Sequence, residues 1–393
     1  MAISTDKKKI ESLLTRGVSE VIDRKNLEKK LLSGKELRVK LGIDPTSPDL
    51  HLGRSVPLLK LRDFQELGHK IVFIVGDFTG VIGDTSDKES ERPMLDKATV
   101  EKNMQSYREQ AGKIIDLDRA EIRYNSEWLG KLSYYDVAEH ANQFSLAEFI
   151  ARENIRRRID AGTRVSLREV LYPLMQGYDS VAVSADVEIG GTDQRFNLLA
   201  GRTLQQHFGQ APQDIIMNPL VAGTDGRKMS SSWGNTITFS MDPKEMYGKV
   251  MSISDDLIAD YFEYFTRVPE EEIAEMRRAM KSGENPRDFK MKLAEALVDQ
   301  YHGETGAKEA GEYFTKTFSN KQTPDEMPTV RPKSQNLVDV LLEAGMVSSK
   351  SEARRAIEQG GVRINDEKVE AVDAAIQPGD VIQKGKRHFV KIV

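Results

Sequence analysis

The chain has 393 residues, enough for two or three domains, and a first domain of roughly 200–250 residues could bury a full core. Charged residues make up 30% and hydrophobic residues 39%, an ordinary globular balance, and the absence of cysteine excludes disulfides and thiolate-held metal. The first residues, MAISTDKKKIESLL, lack a signal-peptide core and runs such as IVFIV at 71–75 are too short to span a bilayer, so a cytoplasmic protein with no membrane partner is expected.

The net charge is −5, but residues 331–393 carry 11 Lys and Arg against 9 Asp and Glu while the rest is acidic. Screening over ~8–10 Å lets a local basic patch meet RNA phosphates on such a protein.

Along the chain, residues 8–32 read as helical, with Leu13, Leu14, Val21, Ile22, Leu27 and Leu31 at roughly helical spacing. ELRVKLGID alternates like a strand ending near Gly42, and a helix is expected from about His51 to Leu67. HKIVFIVGDFTG is a continuous apolar run, the mark of a parallel strand covered on both faces, and it completes a βαβ unit. Further strands are expected at 120–125, 185–191 and 214–220, separated by helical stretches. The alternation predicts a doubly wound α/β sheet up to about residue 225, within a first domain over 1–242. From Pro243 to Phe318 only helical patterns occur, so an all-helical domain over 243–330 is expected, ending in a proline-rich polar linker at 319–336. A small α/β domain over 331–393 should hold two short helices, stopped at Gly345 and at Gly360–Gly361. Two hairpins should follow, turning at Asn365–Asp366 and Lys384–Gly385.

Two loops have the pattern expected of nucleotide binding. GIDPTSPDLHLGRS runs from a strand end into a helix: Gly42 admits close backbone approach, Pro45 and Pro48 stiffen the loop, and His51 and Gly53 fall in the first helical turn. A helix amino terminus at the carboxyl edge of a parallel sheet favours anions, Thr46 and His51 can donate to a phosphate, and the missing Cβ of Gly53 leaves room for adenine. A capped loop with a surface histidine would look similar. AGTDGRKMSSSWGNTI follows the last strand, and its glycines allow it to fold over a polyphosphate, with Lys228 as a mobile cation and Ser230, Ser231 and Ser232 as donors. A flexible polar loop would also fit, and the conjunction of the two loops favours function.

HLGR at 51–54 and KMSSS at 228–232 resemble the HIGH and KMSKS motifs of aminoacyl-tRNA synthetases built on a Rossmann-like fold. LGIDPTSPDLHLG, FIVGDFTGVIGD, YPLMQGYD and EIGGTDQRFN resemble the bacterial tyrosyl-tRNA synthetases, and the tail is similar to their S-four-like RNA-binding module. The resemblance covers essentially the whole chain. It implies tyrosine, ATP (with Mg2+ bound through its phosphates, and no protein-held metal) and the tRNA for tyrosine as substrates, in a homodimer. Tryptophanyl-tRNA synthetases are the nearest alternative of the same fold, and a catalytically silent tRNA-binding relative is the alternative of another class.

By the same resemblance, Thr46 and His51 hold the γ-phosphate side of ATP, and Lys88, Arg92, Lys228 and Ser232 clamp the departing pyrophosphate. Gly42, Asp44, Gly53, Arg54, Gly191, Asp193 and Ser231 form the remaining ATP side, with Asp193 suited to the ribose hydroxyls. Tyr172, Gln176 and Asp179, at i, i+4 and i+7, share one helix face. Asp179 is expected to accept the phenol hydroxyl, Tyr172, Gln176 and Asp84 to hold the ammonium, and Asn125, Gln194 and Lys40 to line the tyrosine pocket. A buried acceptor aimed at a hydroxyl rejects phenylalanine, which leaves it unpaired.

This chain departs from the family pattern at Arg54, at Ser231, at Asp87 and at Lys40, where the better-known branch has a tyrosine. In the tail, Lys350, Arg354, Arg355, Arg363, Lys384, Lys386 and Arg387 are the expected phosphate contacts.

Overall fold

The computed structural model describes residues 2–85, 94–319, 327–332, 334–365, 367–369, 371–385 and 388–393. It divides into two compact units, Met1–Ala307 and Lys308–Val393. The expected first helix is two helices with a strand between: α1 (Lys7–Thr15), β1 (Glu20–Ile22) and α2 (Arg24–Leu32). Gly17, at a φ of 59°, ends the first helix, and Asp6 and Asp23 each cap a new one with a side-chain oxygen. The residues between are drawn into extended form because β1 pairs antiparallel with a sheet strand far along the chain.

The α/β alternation then follows as β2 (Arg38–Ile43), α3 (Leu52–Glu66), β3 (Lys70–Val75), α4 (Asp77–Ile82), α5 (Lys97–Gly112) and β4 (Ala120–Tyr124). The apolar run at 69–80 is strand only as far as Val75. Phe78 N–H, near the start of α4, is satisfied at 3.0 Å by the Asn125 side-chain oxygen. Four helices succeed β4: α6 (Ser126–Leu129), α7 (Tyr134–Ala141), α8 (Leu146–Ile150) and α9 (Glu153–Asp160). Then come α10 (Leu167–Ala182), β5 (Val187–Gly191), α11 (Arg195–His207) and β6 (Asp214–Asn218).

The sheet order is β1-β6-β5-β2-β3-β4, and all of its pairs are parallel except β1 with β6. Val72, Phe73 and Ile74 are fully buried, as a strand covered on both faces requires. The doubly wound sheet expected from the sequence is therefore present. Beyond it come α12 (Pro243–Met251), α13 (Ile258–Phe265), α14 (Glu270–Lys281) and α15 (Pro286–Phe314, broken at Gly303).

The second unit holds β7 (Thr329–Val330), α16 (Leu337–Glu343), α17 (Lys350–Glu358), β8 (Val362–Ile364), β9 (Glu367–Lys368), β10 (Val381–Lys384) and β11 (His388–Ile392). Its sheet runs β7-β11-β10-β8-β9 over a core that includes Leu337, Leu341, Ile357, Ile382 and Val390. Gly345, Gly360 and Gly385 all sit at positive φ where the sequence placed helix stops and a hairpin turn.

Candidate active site

β2 pairs with β3 on one side and with β5 on the other, so the chain crosses over in opposite directions from β2. In such a sheet the crevice outside the carboxyl ends of these strands is where ligands enter. A cavity of about 470 Å³ lies there, lined by Gly42 of β2 and Asp44 just after it, by Gly190 and Gly191 of β5, and by the two glycine-bearing loops. His51 and Lys228, 177 positions apart in sequence, face one cavity.

On its phosphate side, His51 is the N-cap of α3, and its Nδ1 accepts the Gly53 N–H at 3.1 Å. That bond makes Nε2 the protonated, donating nitrogen of a neutral ring. A Cβ at Gly53 would lie 2.9 Å from His51 Cε1, so glycine is what lets the imidazole fold back over the helix end. The same Gly53 N–H meets Met229 Sδ at 3.2 Å, joining the two motifs directly. Leu52 N–H donates to Ile237 O and Phe239 N–H to Leu50 O, both at 2.9 Å, so the far end of the second loop is stitched to the first.

Within the second loop the buried Asn235 is the hub. It accepts Ser230 N–H at 2.9 Å and donates to Asp225 at 2.7 Å and to Lys228 O at 3.0 Å. The Arg227 guanidinium stacks over Trp233 at 4.9 Å. Lys228 Nζ reaches Asp193 at 3.2 Å, with both side chains partly exposed. A pair of this kind is weak and easily exchanged for a phosphate.

The opposite wall is α10. Ser166 and Glu169 form a capping box at its start, and the buried Arg158–Glu169 pair fixes that end. From this helix Tyr172 donates to Asp44 at 2.8 Å, and Asp44 also accepts Thr79 Oγ at 2.7 Å. A Cβ at Gly76 would come within 2.1 Å of Asp44 Oδ1, so only glycine lets this carboxylate seat. Burial pushes the Asp44 carboxyl up to about 6 against these two hydrogen bonds. Two turns on, Asp179 accepts Trp128 Nε1–H at 2.8 Å and an Asn125 amide hydrogen at 3.3 Å. Burial raises its carboxyl to about 7, with the Lys40 charge opposing the rise most strongly. Burial and the neighbouring carboxylates hold the Tyr172 phenol well above its ordinary range.

Between these groups Gln194 donates to Asp84 at 2.7 Å, and Asn197 donates to Gln194 at 2.9 Å and to Gln176 at 3.1 Å. Tyr172, Gln176, Asp179, Asp84, Asn125 and Gln194 thus meet in one hydrogen-bonded wall of the cavity.

The family described as tRNA synthetases class I (W and Y) matches residues 32–319, and the tyrosine–tRNA ligase SYY-like C-terminal domain matches 320–392. The tyrosine–tRNA ligase of Thermotoga maritima is 48% identical over 385 residues, spanning 97% of this chain and 96% of that one. That of Haemophilus influenzae is 44% identical over 391 residues, spanning 99% and 98%.

The chain belongs to the tyrosine–tRNA ligases.

Solved tyrosyl-tRNA synthetases agree with it in fold. The one from Archaeoglobus fulgidus, complexed with L-tyrosine, superposes with a TM-score of 0.63 at 23% identity, covering 78% of this chain and all of that one. A C-terminally truncated mitochondrial synthetase from Aspergillus nidulans gives a TM-score of 0.67 at 22% identity, covering 79% and 94%.

Not every residue expected in this tyrosine–tRNA ligase's site lies in the cavity. Lys88, Arg92 and Asp87 fall outside the described residues, as do Lys386 and Arg387. Ser232 follows Ser231 in the loop, and its side chain is likewise outside the description. Lys40, expected at the pocket wall, is absent from the cavity lining. It is completely buried, its ammonium bonded at 2.8–3.0 Å to Ser180, Glu188 and the Gln176 carbonyl. Lys384 is also committed internally, to Met346 O at 2.6 Å and Glu352 at 2.8 Å, and Lys350 pairs with Asp339 at 2.8 Å. Arg354, Arg355 and Arg363 are exposed. Conversely Thr79, Trp128, Glu188 and Asn197 organise the site and were missed. Glu188 carried a sequence signal, a charge inside an apolar strand, whereas Trp128 and Asn197 carried none.

Proposed function

We infer that the cavity activates tyrosine with ATP to tyrosyl-adenylate and then passes the tyrosyl group to the 3′ end of its tRNA. The observation that carries this is the meeting of the two nucleotide loops at Gly53 and Met229, across one cavity from Asp179. In the first step the tyrosine carboxylate attacks the α-phosphorus and pyrophosphate leaves. In the second, a terminal ribose hydroxyl of tRNA attacks the mixed anhydride carbonyl. Neither step needs a covalent enzyme intermediate, so positioning and charge stabilisation dominate.

In this reading Asp179 accepts the phenol hydrogen, with two of its hydrogen bonds already supplied by Trp128 and Asn125. The tyrosine ammonium sits among Gln176, Asp84 and the Tyr172 oxygen, whose own hydrogen is given to Asp44. ATP lies along Gly42, where a Cβ would meet nothing within 4 Å, with its ribose at Asp193 and its adenine over Gly53 and Gly191. Thr46 and His51 Nε2 donate to the outer phosphates from the α3 amino terminus, where the helix dipole adds to them. Lys228 leaves Asp193 to follow the charge that grows on pyrophosphate, helped by Ser231, Ser232, Arg54, Lys88 and Arg92. Mg2+ enters with the ATP phosphates as part of the substrate.

Helices within 243–330 are assigned to the anticodon-stem side, and the domain from 331 to the end to tRNA, with Arg354, Arg355 and Arg363 as its phosphate contacts alongside Lys386 and Arg387. Tyr134 and Tyr135 are 95% and 78% exposed and Leu167 is 69% exposed, on α7 and α10, which touch. Large apolar side chains left in water favour a second copy of the chain as their cover, giving a homodimer. A cytoplasmic location fits: among the described residues no helix is long and apolar enough to cross a membrane.

The test is ATP–pyrophosphate exchange with each amino acid, followed by charging of tRNA. Exchange that requires tyrosine is expected; exchange driven by tryptophan instead, or none at saturating ATP and magnesium, would overturn this reading.

A further inference from the structure

We propose that Lys40 and Glu188 form a buried positioning pair that grips the tyrosine-reading turn of α10 from below, so that phenol selectivity depends on a lysine outside the pocket. The proposal rests on the reading of Asp179 given above and deepens it.

The two residues are register partners on neighbouring parallel strands, Lys40 on β2 opposite Glu188 on β5. Side chains alternate along a strand, so Lys40 shares a sheet face with Gly42, and Glu188 with Gly190. Their strands are otherwise apolar and buried: Val39, Leu41 and Ile43 beside Lys40, and Val187 and Ile189 beside Glu188. Lys40 is 0% exposed and Glu188 1%. Removing two ions from water costs several kcal/mol each, and an apolar pair of similar volume is commonly no less stable. Stability alone therefore gives little reason for the pair.

Its hydrogen bonds supply one. Besides Glu188 at 2.9 Å, Lys40 Nζ donates to Gln176 O at 3.0 Å and Ser180 Oγ at 2.8 Å. Glu188 accepts from Gln176 Nε2 at 3.2 Å and Ser180 Oγ at 3.0 Å, and from Gln213 of the loop before β6. Gln176 and Ser180 are one helical turn apart and enclose Asp179. The pair thus holds the backbone and both flanking side chains of the turn that presents Asp179 and Gln176 to the cavity.

It also sets the charge there. The groups acting on Asp179 include Lys40 from β2, Glu188 from β5 and Tyr172 from its own helix, with neutral donors Trp128 and Asn125. Lys40 is the cation among them. Without it, Asp179 keeps its burial and faces Glu188 uncompensated, so its proton leaves at higher pH.

The experiment uses the full chain with Lys40→Met, Glu188→Gln and the double variant, which leaves no lone buried charge and so guards against misfolding. For each, tyrosine and ATP KM, kcat and the tyrosine-over-phenylalanine ratio are read from pyrophosphate exchange between pH 6 and 9. Expected are a rise in tyrosine KM of about tenfold or more and a falling tyrosine-over-phenylalanine ratio. ATP KM should stay within about twofold, and the tyrosine KM profile of Lys40→Met should move to higher pH. A folded double variant with unchanged tyrosine KM and ratio, or tyrosine and ATP KM rising together, would overturn the proposal. Asp179→Asn is measured alongside. An unchanged ratio there sinks the Asp179 reading itself, whereas a loss there with none in the double variant sinks only the pair.

Discussion

The two walls of the cavity are built on opposite principles. On the α10 side the groups are already hydrogen-bonded, and Asp179, Tyr172 and Asn125 are buried: Asp179 is bonded to Trp128 and Asn125, Tyr172 to Asp44, and the half-buried Gln194 to Asp84. On the loop side the chief cation, Lys228, is held by a partly exposed pair with Asp193 at 3.2 Å. A rigid wall can reject a wrong amino acid because its polar groups cannot relax around a missing hydroxyl. A movable cation can follow charge that exists only while the phosphorus bond is breaking. In the proposed function, selectivity and rate fall to different parts of one cavity.

That division can be broken by experiment. The largest effect expected is from Lys228→Ala, which should lower kcat for adenylate formation by about 10²–10³-fold while tyrosine affinity stays within about twofold. Stopped-flow adenylate formation with equilibrium tyrosine binding measures both, and an equal loss in the two would mean that Lys228 binds ground state and transition state alike.

Next, Asp179→Ala should erode the preference for tyrosine over phenylalanine by roughly 10- to 100-fold, the worth of one hydrogen bond to a charged acceptor. Competitive exchange assays give the ratio, and an unchanged one would remove Asp179 from its role.

A smaller effect comes from pH. In the proposed reading, tyrosine binding asks for an ionised acceptor at Asp179, whose carboxyl burial pushes up to about 7. Tyrosine KM should therefore fall about tenfold between roughly pH 6 and pH 8, and Asp179→Asn should flatten that profile. The linked stability runs the other way. Asp179, near 7, and Asp44, near 6, both stand above the ordinary 3.8, so the folded state keeps protons that the unfolded chain releases. Their contribution to stability is present below that ordinary value and is lost as pH rises through 6 to 7. A wild-type melting series across this range, compared with Asp179→Asn, checks the sign.

The smallest effect sharpens the loop side. Asn235→Ala removes the buried hub joining Ser230, Asp225 and Lys228, and should loosen residues 223–235 by about 1–3 kcal/mol of local stability. Faster amide exchange confined to that segment, with normal tyrosine selectivity, is the expected signature.

Much of the fold is legible in the sequence. The continuous apolar run of β3 announced a strand covered on both faces, and Gly345, Gly360 and Gly385 announced helix stops and a turn. The first thirty residues were misread as a single helix because leucines at helical spacing outweighed Gly17, and because the partner of β1 lies nearly two hundred residues away. Trp128 was invisible for the same reason, since its indole matters only through Asp179 on another element.

What the sequence determined by itself is therefore local and compositional: the parallel sheet, the glycines of its turns, the two glycine-bearing loops at strand ends and the helix face bearing Tyr172, Gln176 and Asp179. Tertiary structure alone decided where charges point. It turned Lys40 away from the pocket into a buried pair with Glu188, bound Lys384 within the second unit, and set the Trp128 indole against the Asp179 carboxylate. The physical reason is that backbone preference is written in neighbours, whereas the worth of a charge depends on burial and on partners that only the folded chain brings within a few ångströms.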